Sequence, residues 1–351
     1  MKKTKTDIAN ILSFETNATK LRTQLRVETM DWEWFVKASS HHGVLTTAYC
    51  RLKQKGLLDV LPDDLNNYLQ ELTNINRNRN KSLLNQVNEI SVLFNSHGIH
   101  HIFVKGCALL ASGYYKDYGE RLIGDIDVLV EPTHLHKAEQ VLKDVSYNAL
   151  DETLFGKHKK HRHLPRLIHS DHLGAVEIHS KLLRKEKLKI LNIKKILANR
   201  IPLNGVYVPT IEANLDIIIL NNQINDFGYL FKSINFKACY DSLVLEQQKE
   251  QSIKIITSKY HRLFYALRGL YFKSLTKDAK NTTTTIMKTF YKYLNQNRLA
   301  RRVYTKLVNI HIGLVTCLVG MKIFIKNKHF RADLWNHKSD IVKILRGEIE
   351  V

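Results

Sequence analysis

The segment Asp125-Ile126-Asp127-Val128-Leu129-Val130 constrains the fold more than any other part of the chain. It alternates acidic and aliphatic residues and is closed by Pro132, so it reads as a β-strand that stops there. Positions i and i+2 of a strand face the same side, which makes the two carboxylates neighbours. At ~4 Å they would repel by ~4 kcal/mol at an effective dielectric of ~20, so the pair requires a cation. Hard oxygen ligands of this kind suit Mg²⁺, which is usually held by one or two carboxylates while substrate phosphates fill its shell. An exposed strand end with two hydrated aspartates would give the same pattern, so the flanking segments decide between these readings.

Those segments add chemistry. Ala175-Val176-Glu177-Ile178-His179 is another acid between apolar residues in β pattern, and beside the Asp125 strand it would make three acids converge. Upstream, His101-Ile102-Phe103-Val104 is a short strand running into Lys105-Gly106, where backbone N–H groups and a cation meet at the start of a helix. Leu164 to His169 and Ala175 to Leu182 bracket a turn at Ser170–Gly174, which predicts a β-hairpin. Leu135, Ala138 and Leu142 predict a helix with Thr133 as its cap.

Helical periodicity flanks this unit on both sides. Leu83, Val87, Ile90 and Phe94 form one apolar face, with Gly98 where a C-terminal glycine would end the helix. Trp32 to Phe35 and Val44 to Leu58 add further helical patches, and Pro62 punctuates them. A helix is predicted from Thr210 through Ile219, another around Cys239 to Leu245, and apolar positions Ile341, Val342 and Leu345 repeat at helical spacing. The expected fold class is therefore α+β. A small mixed-sheet core at 99–185 lies between an N-terminal helical region at 1–98 and a C-terminal helical region at 186–351.

Composition sets the partners and the compartment. With 54 basic and 33 acidic residues, the formal charge of +21 favours anionic partners, although a Lys-rich composition by itself gives the same sum. Cys50, Cys107, Cys239 and Cys317 form no CxxC pair, which argues against a disulfide framework and for reduced thiols in the cytoplasm. The basic start is interrupted by Asp7, Asn10 and Glu15, unlike a signal peptide. The longest uncharged stretch, Leu307 to Met321, contains Asn309, His311, Gly313 and Gly320 and falls short of the ~20 apolar residues of a spanning helix. It predicts a buried helix and no stable membrane span.

In combination, Lys105-Gly106, Arg121 to Asp127 and Glu177-Ile178-His179 resemble the nucleotidyltransferases of the DNA polymerase β superfamily. The similarity is to a bacterial branch with Lys-Gly, Arg-x-x-x-Asp-x-Asp and Glu-x-His motifs. His163-Leu164-Pro165 and the Asp241 helix, Cys239 to Leu243, extend it, so that it covers roughly residues 30 to 245. The resemblance implies transfer of a nucleoside monophosphate from an NTP to an acceptor, with a pair of Mg²⁺ ions held by Asp125, Asp127 and Glu177. The superfamily usually has Ser or Gly after the first glycine; Cys107 stands here, and a thiol is a weaker hydrogen-bond donor. Eighteen residues separate Gly106 from Asp125, room for a longer helix or a lid, and histidines expected near Asn221-Asn222-Gln223 are absent.

The expected reaction is attack of an acceptor hydroxyl, on a small molecule, a protein or RNA, on the α-phosphate of an NTP with release of pyrophosphate. Asp125, Asp127 and Glu177 are the catalytic and metal-binding candidates; Lys105, Gly106, Cys107, Arg121, His163 and His179 are the nucleotide-binding candidates. Arg121 suits either phosphate or a pairing with Asp125. His158, His161, His163, His169 and His172 form a histidine-rich stretch without the pattern of a zinc site. The basic runs Lys157 to Arg166 and Arg184 to Lys195 would track RNA as acceptor, or form a solvated face. The alternative from another class is a catalytically inactive nucleotide- or RNA-binding protein of the same fold.

Overall fold

In a computed structural model that describes residues 2–27, 30–150, 163–184, 190–248, 258–272 and 282–336, the chain begins with five helices. These are α1 (Lys2–Leu12), α2 (Ala18–Val27), α3 (Trp32–His41), α4 (Leu45–Gln54) and α5 (Asp63–Ser96). Asp31 caps α3 by accepting a hydrogen bond from the Trp34 amide at 2.9 Å. The long helix α5 starts after Pro62, with Asp63 and Asp64 at the end where the dipole favours carboxylates. It buries the predicted face of Leu83, Val87, Ile90 and Phe94, and the chain leaves it through Gly98 at φ +64°.

A mixed sheet follows, built from β1 (His101–Val104), α6 (Lys105–Ala111), β2 (Ile126–Val130), α7 (Leu135–Asp144), β3 (Asn148–Ala149), β4 (Leu167–Ile168) and β5 (Val176–His179). The strand order is β1-β2-β5-β4-β3, and β2 and β5 run parallel with Asp127 opposite Glu177. The predicted hairpin is present, with Leu167 of β4 antiparallel to Val176 of β5. Its turn is pressed onto α5: a Cβ on Gly174 would lie 2.6 Å from Leu83, and the Gln86 side chain holds both the N–H and the C=O of Gly174. Two details depart from expectation. Asp125 lies just before β2, at its mouth, and Thr133 sits in a 3₁₀ turn (Pro132–His134) without capping α7 by a side-chain bond.

The C-terminal region comprises α8 (Ile193–Ala198), a hairpin of β6 (Ile201–Leu203) and β7 (Val206–Val208), α9 (Ile211–Leu220), a π-helical turn (Asn221–Asn225), α10 (Gly228–Phe231), α11 (Phe236–Gln247), α12 (Lys259–Arg268), α13 (Thr282–Gln296), α14 (Arg298–Lys326) and α15 (Lys328–Asn336). The helix expected from Thr210 is α9, which Thr210 caps by accepting from the Ala213 amide at 3.2 Å. The β6–β7 hairpin was not expected in a helical region. Its signal is Asn204-Gly205, both at positive φ, between two short apolar runs. Residues 337–351, with Ile341, Val342 and Leu345, lie outside the described residues.

One apolar cluster runs through all three regions. Phe35 and Ala48 of the N-terminal helices, Phe103 and Val128 of the sheet, and Phe236 and Phe264 of the C-terminal helices all belong to it. The stretch 307–321 corrects the sequence expectation. It lies within α14, which has no buried residue and is, among the described residues, the one helix long and apolar enough to cross a membrane by length and composition. Hydropathy reports how well a segment tolerates an apolar surrounding, and here the fold does not supply that surrounding.

Candidate active site

Parallel pairing of β2 with β5 places Asp127 beside Glu177, and His179 follows two residues later on the same face. The His179 Nε2 lies 2.8 Å from Asp127 Oδ1 and 3.3 Å from Glu177 Oε2. One ligand atom from each of Asp127, Glu177 and His179 falls within 4.8 Å of the other two, and all three residues are buried. His163 reaches the cluster through an isolated bridge to His179, their rings 5.1 Å apart, with its Nε2 3.9 Å from Glu177. Asp125 stands at the rim, half-buried. Arg166 joins it to the cluster, donating from Nε to Glu177 at 2.8 Å and from Nη2 to Asp125 at 3.1 Å.

Lys105 completes the charge balance by pairing with Asp127. Its φ of +58° lies in the left-handed region that a residue with a Cβ rarely adopts, and this conformation turns the chain directly from β1 into α6. Burial pushes the Asp127 carboxyl up, but Lys105 and His179 outweigh it and hold the group below its usual range. Glu177 is likewise lowered: burial opposes, and the bonds from His179 and Arg166 with the charge of His163 prevail. Asp125 goes the other way, raised by burial and by its two acidic neighbours against the pull of Arg166. Acids of this kind, lying beside movable cations, form a donor set to which a divalent ion can be added.

Two of the expected nucleotide contacts turn inward. The guanidinium of Arg121 is buried and grips Asp241 of α11 through Nε at 2.9 Å and Nη2 at 2.8 Å, so it meets neither Asp125 nor open solvent. Tyr115 also donates to Asp241. A Cβ on Gly106 would lie 2.1 Å from Arg121 Nη1, so the glycine is required by this guanidinium packed beneath the turn. The Cys107 thiol is fully buried and donates to the Val104 carbonyl at 3.1 Å. Burial raises its pKa to about 12, so it is an inert thiol of the core rather than a phosphate contact.

The 18 residues between Gly106 and Asp125 form no long helix. After the short α6 they run as a loop bound to α5, through the Arg77 guanidinium on Asp117 and the amides of Asn76 and Asn80 on carbonyls of residues 118–121. Lys237 was not anticipated. It lies one helical turn before Asp241 on α11, packs its stem near Gly43, and forms no ion pair among the described residues. Burial, then the charges of Arg121 and Lys105, hold its ammonium below the ordinary value, while Asp241 and Asp226 pull against them. The i, i+4 spacing of Lys237 and Asp241 was a readable signal, but the place of α11 beside the Lys105 turn was not.

A cavity of about 400 Å³ between α5, α6 and the β6–β7 hairpin, lined by Lys81, Asn85, Leu110, Tyr118 and Asn204, contains none of these acids. His169 and His172 pack with Tyr147 away from the acids, with His172 3.2 Å from Glu89. His158, His161, Lys159, Lys160 and Arg162 lie outside the described residues.

Residues 28–250 match a family described as an uncharacterised nucleotidyltransferase, and this match spans more than half of the chain. No curated protein matches the chain. The chain belongs to that nucleotidyltransferase family.

Proposed function

We propose that this member of the family transfers a nucleoside monophosphate from an NTP to an acceptor hydroxyl, in the manner of the DNA polymerase β superfamily. The observation that carries this reading is the parallel β2–β5 register, which sets Asp127 against Glu177 with Asp125 two residues before Asp127, at the mouth. Asp125, Asp127 and Glu177 would hold Mg²⁺, which supplies charge neutralisation for a triphosphate and acidifies an oxygen bound to it. His179, whose Nε2 faces both Asp127 and Glu177, serves to hold those carboxylates in place; its buried Nδ1 has no hydrogen-bond partner among the described residues.

The residues divide the work. Lys105 and Arg166, now on Asp127 and on the Glu177–Asp125 pair, are cations that a triphosphate would draw away as the metal takes their place. Lys237, one helical turn before Asp241 on α11, would add a further positive charge for the phosphates. Arg121 and Asp241 keep Gly106 in position from below. Glu177 accepts the proton of the acceptor hydroxyl as its oxygen bonds to the α-phosphorus; the bond from that phosphorus to the bridging oxygen breaks, and pyrophosphate leaves.

The test is incubation of the protein with each α-labelled NTP and Mg²⁺ in a host lysate, with the molecule class that acquires label identified. Label transfer that EDTA and Asp127→Asn both abolish supports the reading. A protein that binds NTP with no transfer of label to any class would instead be a binding protein of this fold.

A further inference from the structure

The surface least explained by nucleotide chemistry is α14. Its N-terminal turns are fastened to the body, where Arg301 donates to the Phe231 carbonyl at 2.9 Å and the Tyr304 hydroxyl to the Leu230 carbonyl at 2.7 Å. Beyond Tyr304 the helix exposes apolar side chains around its circumference: Leu307 at 60%, Ile310 at 52%, Val315 at 47%, Val319 at 39% and Phe324 at 48% of their full area. No charge interrupts residues 307–321. Such a continuous apolar surface exceeds what a soluble chain leaves to water.

Basic residues bracket the surface at both ends. Arg298, Arg301, Arg302 and Lys306 precede it, Lys322, Lys326, Lys328 and Arg331 follow it, and no acid occurs between Arg298 and Asp333. This arrangement decides between occupants. A second copy laid along α14, parallel or antiparallel, would bring basic ends against basic ends in a chain whose formal charge is already +21. Anionic lipid headgroups complement both ends while hydrocarbon takes the middle. An in-plane helix needs a charged face, and α14 has none over these 15 positions, which hold no Lys, Arg, Asp or Glu and whose polar residues are the scattered Asn309, His311 and Thr316. From Lys306 to Lys322 the axis rises by ~24 Å, and the lysine stems extend that reach toward the ~30 Å of a hydrocarbon core. Trp335 on α15, 72% exposed, is of the residue type that settles at the headgroup level.

We propose that α14 inserts into the hydrocarbon of an anionic membrane and anchors the nucleotidyltransferase body at its surface. This inference is independent of the reaction proposed above, because its readout is lipid binding.

The chain carries its own reporter. Cys317 is exposed in the middle of α14, whereas Cys50, Cys107 and Cys239 are buried, so an environment-sensitive fluorophore on the native protein labels Cys317 selectively. Vesicles of phosphatidylcholine alone and of phosphatidylcholine with equimolar phosphatidylglycerol are then added. Insertion predicts a blue shift, co-flotation of the protein, and binding at least about tenfold tighter to the anionic vesicles. The Leu314→Asp/Leu318→Asp double variant, altered only at exposed positions, should lose flotation and keep its unfolding temperature. No shift and no flotation with either vesicle overturns the proposal. So does a stable dimer by light scattering whose labelled Cys317 stays unresponsive to lipid.

Discussion

Arg121 carries the clearest energetic consequence of any single side chain. Its guanidinium and the Asp241 carboxylate are both buried and doubly bonded, and the charge of Asp241 outweighs burial to keep the arginine's pKa above its already high value. Arg121→Ala would leave Asp241 without its countercharge and is expected to cost about 3–5 kcal/mol, read as a lowered midpoint in urea. Gly106→Ala acts on the same contact from the other side, since its methyl would overlap Arg121 Nη1. Lys237 should behave differently, because it supports no buried pair among the described residues. Lys237→Ala is expected to leave the urea midpoint nearly unchanged and to weaken NTP binding by about tenfold, the value of one charge-assisted contact, measured by calorimetry with Mg²⁺ present. Equal NTP affinity in the two proteins would remove Lys237 from the site. None of these three residues could be assigned from the sequence as the structure arranges them. Arg121 and Asp241 lie 120 positions apart, and spacing alone cannot say that they meet.

The elements differ in how openly the sequence displays them, and the reason is physical. The helix α5 was legible because it buries one face, so its apolar residues repeat at helical spacing, whereas β1, β2 and β5, buried along their whole length, were legible as short runs rich in apolar residues bounded by Lys105-Gly106, Pro132 and Gly174. Asp127 and Glu177 each showed in the sequence as an acid within a β run, while Asp125 lies just before β2, at its mouth. The parallel pairing that brings them together was not legible, since register between distant strands depends on the α7 crossover. The loop from Ser112 to Gly124 was legible only as a length. Arg77 and Asp117 hold it to α5, with Nη2 2.7 Å from the carboxylate. The bonds from Arg77, which outweigh burial, lower the Asp117 carboxyl, so it contributes stability above its unfolded value of ~3.9 that is lost as pH falls through the folded value. Because the pair is partly exposed, Asp117→Asn is expected to cost no more than about 1 kcal/mol globally. Its larger effect should be faster hydrogen exchange confined to residues 112–124. Exchange that rises equally across the sheet would show that the loop has no separate tether.

At the scale of the whole molecule, two buried histidines join regions that are far apart in sequence. His42 of the N-terminal helices stacks on Phe236 of α11 at 4.6 Å between ring centres. His101 of β1 lies between Phe94 of α5 and Tyr207 of β7, with its Nδ1 2.8 Å from the Ile99 carbonyl. Burial, reinforced by Lys5 and His41, takes the pKa of His42 down to about 3; burial, against the Ile99 bond and with the charges of Arg200 and His100, takes that of His101 down to about 4. In the unfolded chain both return to ~6.5. Between the folded and unfolded values the unfolded chain binds more protons, so stability rises with pH and is lost as the solution is acidified from ~6.5 downward. At pH ~5 each histidine would have removed about 2 kcal/mol. Carboxylates with lowered values remain charged from ~7 to ~5 and add nothing to the fall, whereas His100, also lowered by burial, adds to it. The melting temperature is therefore expected to fall over this interval. In His101→Gln the fall should be shallower, whatever that substitution does to the temperature at pH 7. The comparison is of slopes, so a variant that is merely less stable shifts the curve without changing its form. Identical slopes in the two proteins would mean that His101 already carries its proton in the fold, and that the contact joining α5, β1 and the β6–β7 hairpin is insensitive to acid.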